Sequence, residues 1–174
     1  MAKDIPTIKN VLIPLERYPH LNENQTLHDA VNELKSFTAG AKNRLRYDML
    51  LVVNDQNQLV GKATLVDILM ALFPPLYETV KEKKFEGRET KYPNLAILLE
   101  DVVLKECSSK ATKPIKGFMS NADSPIAADT PILKTLMIMI NTRNYTLPVS
   151  DGNAIIGVIR HEEIFDAICS HCNF

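Results

Sequence analysis

The sequence predicts an α+β protein in which a β-α-β-β-α unit occurs twice, with a helical insert between the copies. Three observations lead there. The segment Ile8-Lys9-Asn10-Val11-Leu12-Ile13 returns as Ile115-Lys116-Gly117-Phe118-Met119-Ser120, displaced by 107 residues (115 − 8). The turn and glycine Asn54-Asp55-Gln56-Asn57-Gln58-Leu59-Val60-Gly61 return as Ser150-Asp151-Gly152-Asn153-Ala154-Ile155-Ile156-Gly157, displaced by 96 (150 − 54). An internal repeat sets the architecture before any single motif does. Finally, the longest apolar runs, Met49 to Val53, Ile68 to Phe73 and Leu136 to Ile140, suit strands and short helices and fall far below the ~20 residues of a membrane span.

Each copy opens with a short extended piece, Pro19 to Leu21 and Pro125 to Ala127. A helix follows, with apolar residues at helical spacing: Leu27, Ala30, Val31 and Leu34 in one copy, Ile132, Leu133, Leu136 and Ile140 in the other. Pro131 suits the first helical turn, where a missing N–H costs nothing. An apolar strand comes next, Met49 to Val53 or Tyr145 to Val149. The Asn-Asp-Gln-Asn and Asp-Gly-Asn turns tolerate tight or left-handed backbone, so each strand forms a hairpin with Leu59 to Ala63 or Ile155 to Ile159. Both second strands run straight into a helix, Asp67-Ile68-Leu69-Met70-Ala71-Leu72 matching Glu163-Ile164-Phe165-Asp166-Ala167-Ile168. The displacement shrinks along the chain, so the first copy carries extra residues, placed around Ala39-Gly40-Ala41-Lys42-Asn43.

This divides the chain into a first unit with its lead-in helix (1–73), an insert (74–114) and a second unit (115–174). Pro74-Pro75 ends the first unit's last helix. In the insert, Tyr77 to Phe85 reads as a charged surface helix. Asn94 to Cys107 presents Leu95, Leu98, Leu99, Val102 and Val103 on one face, for packing within the chain or for an oligomer contact.

Composition narrows the function. Apolar residues make up 45% and charged residues 24%, with a net charge of −1, no polybasic block and no Trp. Nothing there draws the chain to nucleic acid or a membrane surface. Met1 to Asn10 is polar and lacks the apolar core of a signal peptide, and an odd count of three cysteines reads as reduced thiols. A cytoplasmic setting is the expectation.

The pattern Val52-Val53-Asn54-Asp55, then Leu59-Val60-Gly61-Lys62-Ala63-Thr64-Leu65-Val66-Asp67-Ile68-Leu69, resembles the CBS domain (cystathionine β-synthase type). Leu147-Pro148-Val149-Ser150-Asp151 and Ile155-Ile156-Gly157-Val158-Ile159 repeat it. The resemblance covers most of the chain outside the insert. It implies a Bateman module: two sheets packed about a pseudo-twofold axis, with two clefts that in many relatives hold AMP, ADP, ATP or related adenosyl ligands (S-adenosylmethionine less so). It also implies a homodimer, an effector protein that reads the ligand, and no catalysis.

Such a ligand presents vicinal ribose hydroxyls that one carboxylate can accept together. The resemblance puts Asp67 in that role, projecting from the first helical turn into the cleft, with Thr64 at the strand–helix junction and Lys62 two residues earlier on the same side of the strand. Leu21 and Met49 complete the first site by carry-over. Thr-x-x-Asp is also nearly a capping box, which stabilises a helix start without any ligand. In the second copy Arg160 and Glu163 replace Thr and Asp, accompanied by Val158, Tyr145 and Ile126. Arg160 can serve as a phosphate fork or fill its cleft by pairing with Glu163, and a filled or weakened second site is favoured. For Leu21, Ile126 and Met49 core packing is an equal reading. Arg143 and Lys42-Asn43-Arg44-Leu45-Arg46 are cationic candidates for phosphate, or a solvated face.

Rival chemistry finds less support. Cys169-Ser170-His171-Cys172 ends a helix, where a redox CxxC would start one, and zinc would need Cys107 and His161 to complete its ligands. The sequence has no Gly-rich phosphate loop and no G-x-S-x-G, and His20, His28, His161 and His171 form no metalloprotease motif. The strongest competitor is a module of the same fold that dimerises or binds proteins with its clefts empty or filled by side chains.

Overall fold

The computed structural model describes residues 6–40, 42–73 and 109–172. The helices expected over 77–85 and 94–107 lie outside the described residues.

Two sheets carry the molecule. In the first repeat β2 (His20–Asn22) lies parallel to β5 (Met49–Val53), which pairs antiparallel with β6 (Leu59–Thr64). In the second, β7 (Ile126–Ala127) lies parallel to β8 (Thr146–Asp151), which pairs antiparallel with β9 (Ala154–Arg160). Helices α1 (Leu27–Ser36) and α2 (Leu65–Leu72) belong to the first repeat, α3 (Ile132–Thr142) and α4 (His161–Cys172) to the second. The hairpin turns form as their residues dictate. Asn54 Oδ1 accepts from the backbone of Gln56 (3.0 Å) and Gln58 (2.9 Å), Asn57 takes a left-handed φ of 56°, and Gly152 does the same at 60°.

The lead-in segments cross over. After a 3-10 turn at Ile8–Asn10, β1 (Ile13–Pro14) adds to the edge of the second sheet, Ile13 opposite Val158 and Pro14 opposite Gly157. After the matching turn at Ile115–Gly117, Ser120 bridges Lys62 of the first sheet. Ile8 is therefore buried in the core of Ile132, Met139, Leu147, Val149, Ile159 and Ile164. Ile115 is buried with Leu21, Leu27, Leu34, Leu50, Val52 and Ile68. Each repeat's core is completed by an isoleucine from the other, so burial of apolar area ties the halves together. A third cluster (Ile13, Leu15, Tyr18, Tyr47, Leu51, Ile155, Val158) fills the seam between the sheets.

Three details differ from expectation. The extra residues of the first repeat form a small hairpin, β3 (Thr38–Ala39) with β4 (Arg44–Leu45), closed where the Arg46 N–H donates to the Phe37 carbonyl at 2.8 Å. The two copies also slip by one residue. Met49 faces Thr64 just as Thr146 faces Arg160, so Thr146, not Tyr145, is the counterpart of Met49. The second turn is one residue shorter, which a constant displacement through the turn conceals. Finally, α3 buries Ile132, Thr135 and Met139, while Leu133 (59% exposed) and Ile140 (62%) face outward. The run Ile-Leu-Lys-Thr-Leu-Met-Ile-Met-Ile is apolar nearly all round, so its periodicity cannot select a face. Thr135 joins the buried face because its hydroxyl donates to the Pro131 carbonyl at 3.2 Å.

Candidate ligand clefts

The pairings Ile13–Val158 and Ser120–Lys62 make the two seams directly comparable. At the first seam, Lys62 exchanges backbone hydrogen bonds with Ser120, its N–H donating at 3.0 Å and its carbonyl accepting at 2.8 Å. Next to this bridge β6 ends and α2 begins. Thr64 caps the helix and donates to Asp67 Oδ2 from both its backbone N–H (2.8 Å) and its hydroxyl (2.8 Å), while the Asp67 N–H returns a bond to Thr64 Oγ1 at 3.1 Å. The capping box is thus closed, and one Asp67 oxygen is turned back onto its own helix start instead of projecting freely. Ser120 Oγ, arriving from the other repeat, has two acceptors for its one hydroxyl hydrogen, the Lys62 carbonyl at 3.3 Å and the same Asp67 oxygen at 3.4 Å. No donor among the described residues reaches Asp67 Oδ1.

A capping box by itself says nothing about ligands. Thr26 and Asp29 build the same box at the start of α1, where Thr26 bonds hold the Asp29 carboxyl below the usual carboxylate range. Asp67 differs in its place at the seam: Ser120 touches it, and the residue that it caps with, Thr64, stands two positions after Lys62 on β6. The Lys62 ammonium binds Asp123 Oδ2 at 2.7 Å, with side chains 23% and 41% exposed. The hydrogen bond from Lys62, above all, holds the Asp123 carboxyl below its ordinary pKa against the opposing effect of burial, helped by the lysine charge and the Asn144 side chain. The pair is therefore intact above the ordinary carboxylate range and is lost as pH falls through the depressed Asp123 pKa.

The second seam is built otherwise. Arg160 donates to Glu163 through Nε (3.0 Å), Nη2 (2.6 Å) and its backbone N–H (3.2 Å). Burial works against the arginine's charge, but Glu163 and Glu162 outweigh it and raise its pKa. The ring of Tyr47 lies 5.3 Å from the Arg160 guanidinium and 4.7 Å from the Tyr18 ring. Tyr47 also donates its hydroxyl to the Arg17 carbonyl at 3.2 Å. Tyr18 is fully buried, which pushes its phenol pKa up strongly. An open cleft of about 450 Å³ remains, lined among others by Tyr145, Arg160, His161 and Arg46.

The residues singled out in the sequence separate accordingly. Lys62, Thr64 and Asp67 converge at the first seam, with Met49 opposite Thr64. The side chain of Leu21 is spent in the first core and that of Val158 in the seam core, which leaves only their backbones to meet a ligand; Ile126 packs on the second core. Tyr145 is half exposed and meets His161 edge-on at 5.6 Å. Sequence reasoning passed over Ser120, Asp123, Asn144, Tyr18 and Tyr47. The signal for the first two lay in the lead-in repeat, whose second copy runs straight into them. Cys169 is partly buried and Cys172 exposed, both as free thiols, and no group of three His, Cys, Asp or Glu side chains among the described residues is placed to hold a metal ion. No helix among the described residues is long and apolar enough to cross a membrane.

Two sheets with crossed lead-ins, built from two β-α-β-β-α repeats, define a paired-domain fold. The chain belongs to the CBS domain family, whose model matches residues 2–74 and 115–170, so it carries a tandem pair. It is similar in structure to a CBS domain-containing protein of unknown function from Kribbella flavida (TM-score 0.70, 16% identity, 93% of this chain and 97% of that one). It is also similar to CBSX2 in complex with AMP (0.61, 17%, 95% and 97%) and to CbpB in complex with c-di-AMP (0.63, 16%, 97% and 88%). No curated protein matches the sequence.

Proposed function

We propose that this chain is a regulatory module, not an enzyme, that binds an adenine nucleotide of the AMP, ADP or ATP type at the first seam. One observation carries the reading: among the described residues no donor reaches the second carboxylate oxygen of Asp67 at the seam, near an ammonium, Lys62, paired there with the half-exposed Asp123. The unused oxygen accepts the ribose hydroxyls, Thr64 and the start of α2 favour the phosphates, and Lys62 leaves Asp123 to meet them. That AMP and c-di-AMP occupy two structural relatives supports the ligand class. The ligand touches both repeats and so favours one relative orientation, which an effector protein reads. Thermal unfolding with AMP, ADP, ATP and S-adenosylmethionine tests this. A specific nucleotide at 100 times its Kd stabilises by about 2.7 kcal/mol, a rise of roughly 5–10 °C for this size. No shift at millimolar concentrations of any of them rejects it.

Asp123 competes with phosphate for Lys62, so Asp123→Asn strengthens ATP binding by up to about fivefold, the worth of a partly exposed ion pair. Isothermal titration measures it, and unchanged or weaker binding means that Lys62 does not meet the phosphates.

A second reading, a homodimer, rests on α3. Leu133, Met137 (71% exposed) and Ile140 form an outward apolar stripe, where α1 carries His28, Asn32 and Lys35 at the same helical positions. Met137→Glu should turn a dimer into a monomer in sedimentation velocity; a wild-type chain already monomeric at tens of micromolar removes this reading.

A further inference from the structure

The open cleft at the second seam is lined by polar groups that the chain itself leaves unused. Tyr18, one of its walls, is only 1% exposed. Its hydroxyl makes no hydrogen bond among the described residues, yet no side-chain oxygen among them is both sealed from solvent and unbonded. The sliver of Tyr18 that solvent reaches is therefore its hydroxyl, opening on the cleft. Tyr47 beside it is already satisfied, donating to the Arg17 carbonyl. A donor fixed on a buried ring and left without an acceptor is a group that a ligand would complete.

Two charges line the same cleft without an ion-pair partner among the described residues, Arg46 and Asp48. Burial, and after it the Asp48 carboxylate, push the Tyr18 phenol pKa up, which places that carboxylate near the phenol. Tyr145 adds a half-exposed ring. Glu163, the counterpart of Asp67, is spent on Arg160, and Asp48 and Glu162 would repel phosphates, so a second nucleotide is disfavoured. One cation, one anion, one phenolic donor and one open ring match a zwitterion with a flat side chain. We propose that the second cleft binds a free aromatic amino acid, its carboxylate held by Arg46 and the Tyr18 hydroxyl, its ammonium by Asp48 and its ring by Tyr145. The cleft, about 450 Å³, has the size of a small-molecule site. This goes beyond the nucleotide reading and does not rest on it, since the two ligands use different seams.

Isothermal titration of the whole chain with L-phenylalanine and L-tryptophan tests it. At least one should bind at millimolar concentration. L-alanine lacks the ring, 3-phenylpropanoate the ammonium and phenethylamine the carboxylate, so each should bind about tenfold more weakly or worse. No binding of either aromatic amino acid overturns the proposal. Equal binding of any truncated compound overturns it too, because one of the matched groups would then go unread.

Two variants locate the site. Tyr18→Phe should lose about tenfold in affinity for the amino acid while its ligand-free unfolding midpoint stays within about 2 °C of wild type, since the hydroxyl has no bond in the free chain to lose. A lowered midpoint with unchanged affinity would make that hydroxyl structural and overturn the assignment. Asp48→Asn, at an exposed position, should weaken the amino acid about tenfold and leave 3-phenylpropanoate unaffected. Equal losses for both compounds overturn the pairing of Asp48 with the ammonium. Saturating ATP should leave amino-acid binding in place; displacement by ATP would put both ligands in one cleft and overturn the proposal. Amino-acid binding without any ATP binding would fail the nucleotide reading alone and leave this one standing.

Discussion

Asp67→Asn is expected to weaken ATP binding by about 10- to 100-fold while leaving the ligand-free unfolding midpoint within about 2 °C of wild type. The asparagine keeps one acceptor oxygen, and one oxygen is all that Thr64 uses to close the capping box. Its other arm becomes an amide that donates where the ribose hydroxyls need an acceptor. Losing a charge-assisted hydrogen bond is worth about 1.5–3 kcal/mol, which sets the affinity loss. Asp67→Ala mixes two effects, because it also opens the cap at a cost of about 1 kcal/mol. The asparagine variant separates the helix-capping role from the ribose role. Titration calorimetry beside thermal unfolding reads both. Unaltered affinity with an unaltered midpoint would leave Asp67 a capping residue and nothing more.

Gly157→Ala should be among the most damaging single substitutions in the chain. A Cβ at this position meets the Ile13 carbonyl oxygen and lies 2.7 Å from Leu12 Cδ1. The obstacle is backbone, held by the β1–β9 pairing, so it cannot turn aside as a side-chain end does. Relief requires β1 to leave the sheet edge, and that withdraws Ile8 from the second core. The expected loss is about 3 kcal/mol, the upper range for overpacking, or roughly 10 °C. Gly61, the counterpart on the first sheet, faces Met119 Sδ at 2.7 Å and the Ser120 carbonyl oxygen at 2.9 Å. The methionine sulfur can swing away and the Ser120 carbonyl needs to yield less than the Ile13 carbonyl does, so Gly61→Ala should cost less. Equal or reversed costs in denaturant unfolding would mean that the crossed lead-ins do not hold the halves together.

The glycines show what a sequence can and cannot disclose. Gly61 and Gly157 were visible as repeat markers, and with them the duplicated strands, turns and helices. The family follows from the same residues. The backbone that needs the space beside each glycine was not visible, because it arrives from the other repeat: Ile8 and Ile115 look like local helix residues until the sheets show where they go. The same holds for the clefts. Lys62, Thr64 and Asp67 sit on one strand–helix junction and announce themselves together, whereas Ser120 and Asp123 reach that junction from 53 or more residues away along the chain. Tyr47 follows directly on the Lys42 to Arg46 stretch, read as cationic candidates or a solvated face, and nothing in the spacing says that its ring comes within 5.3 Å of the Arg160 guanidinium. The outward stripe of α3 was missed for a different reason: with apolar residues on every side, period alone leaves the buried face undetermined.

The reading stands on an asymmetry: among the described residues Asp67 keeps one carboxylate oxygen without a donor at the first seam, while Arg160 and Glu163 spend their charges on each other at the second. Calorimetric titration of the wild-type chain with ATP measures that asymmetry most directly. One nucleotide bound per chain is the predicted stoichiometry; two per chain, or no heat of binding at millimolar ATP, would contradict it.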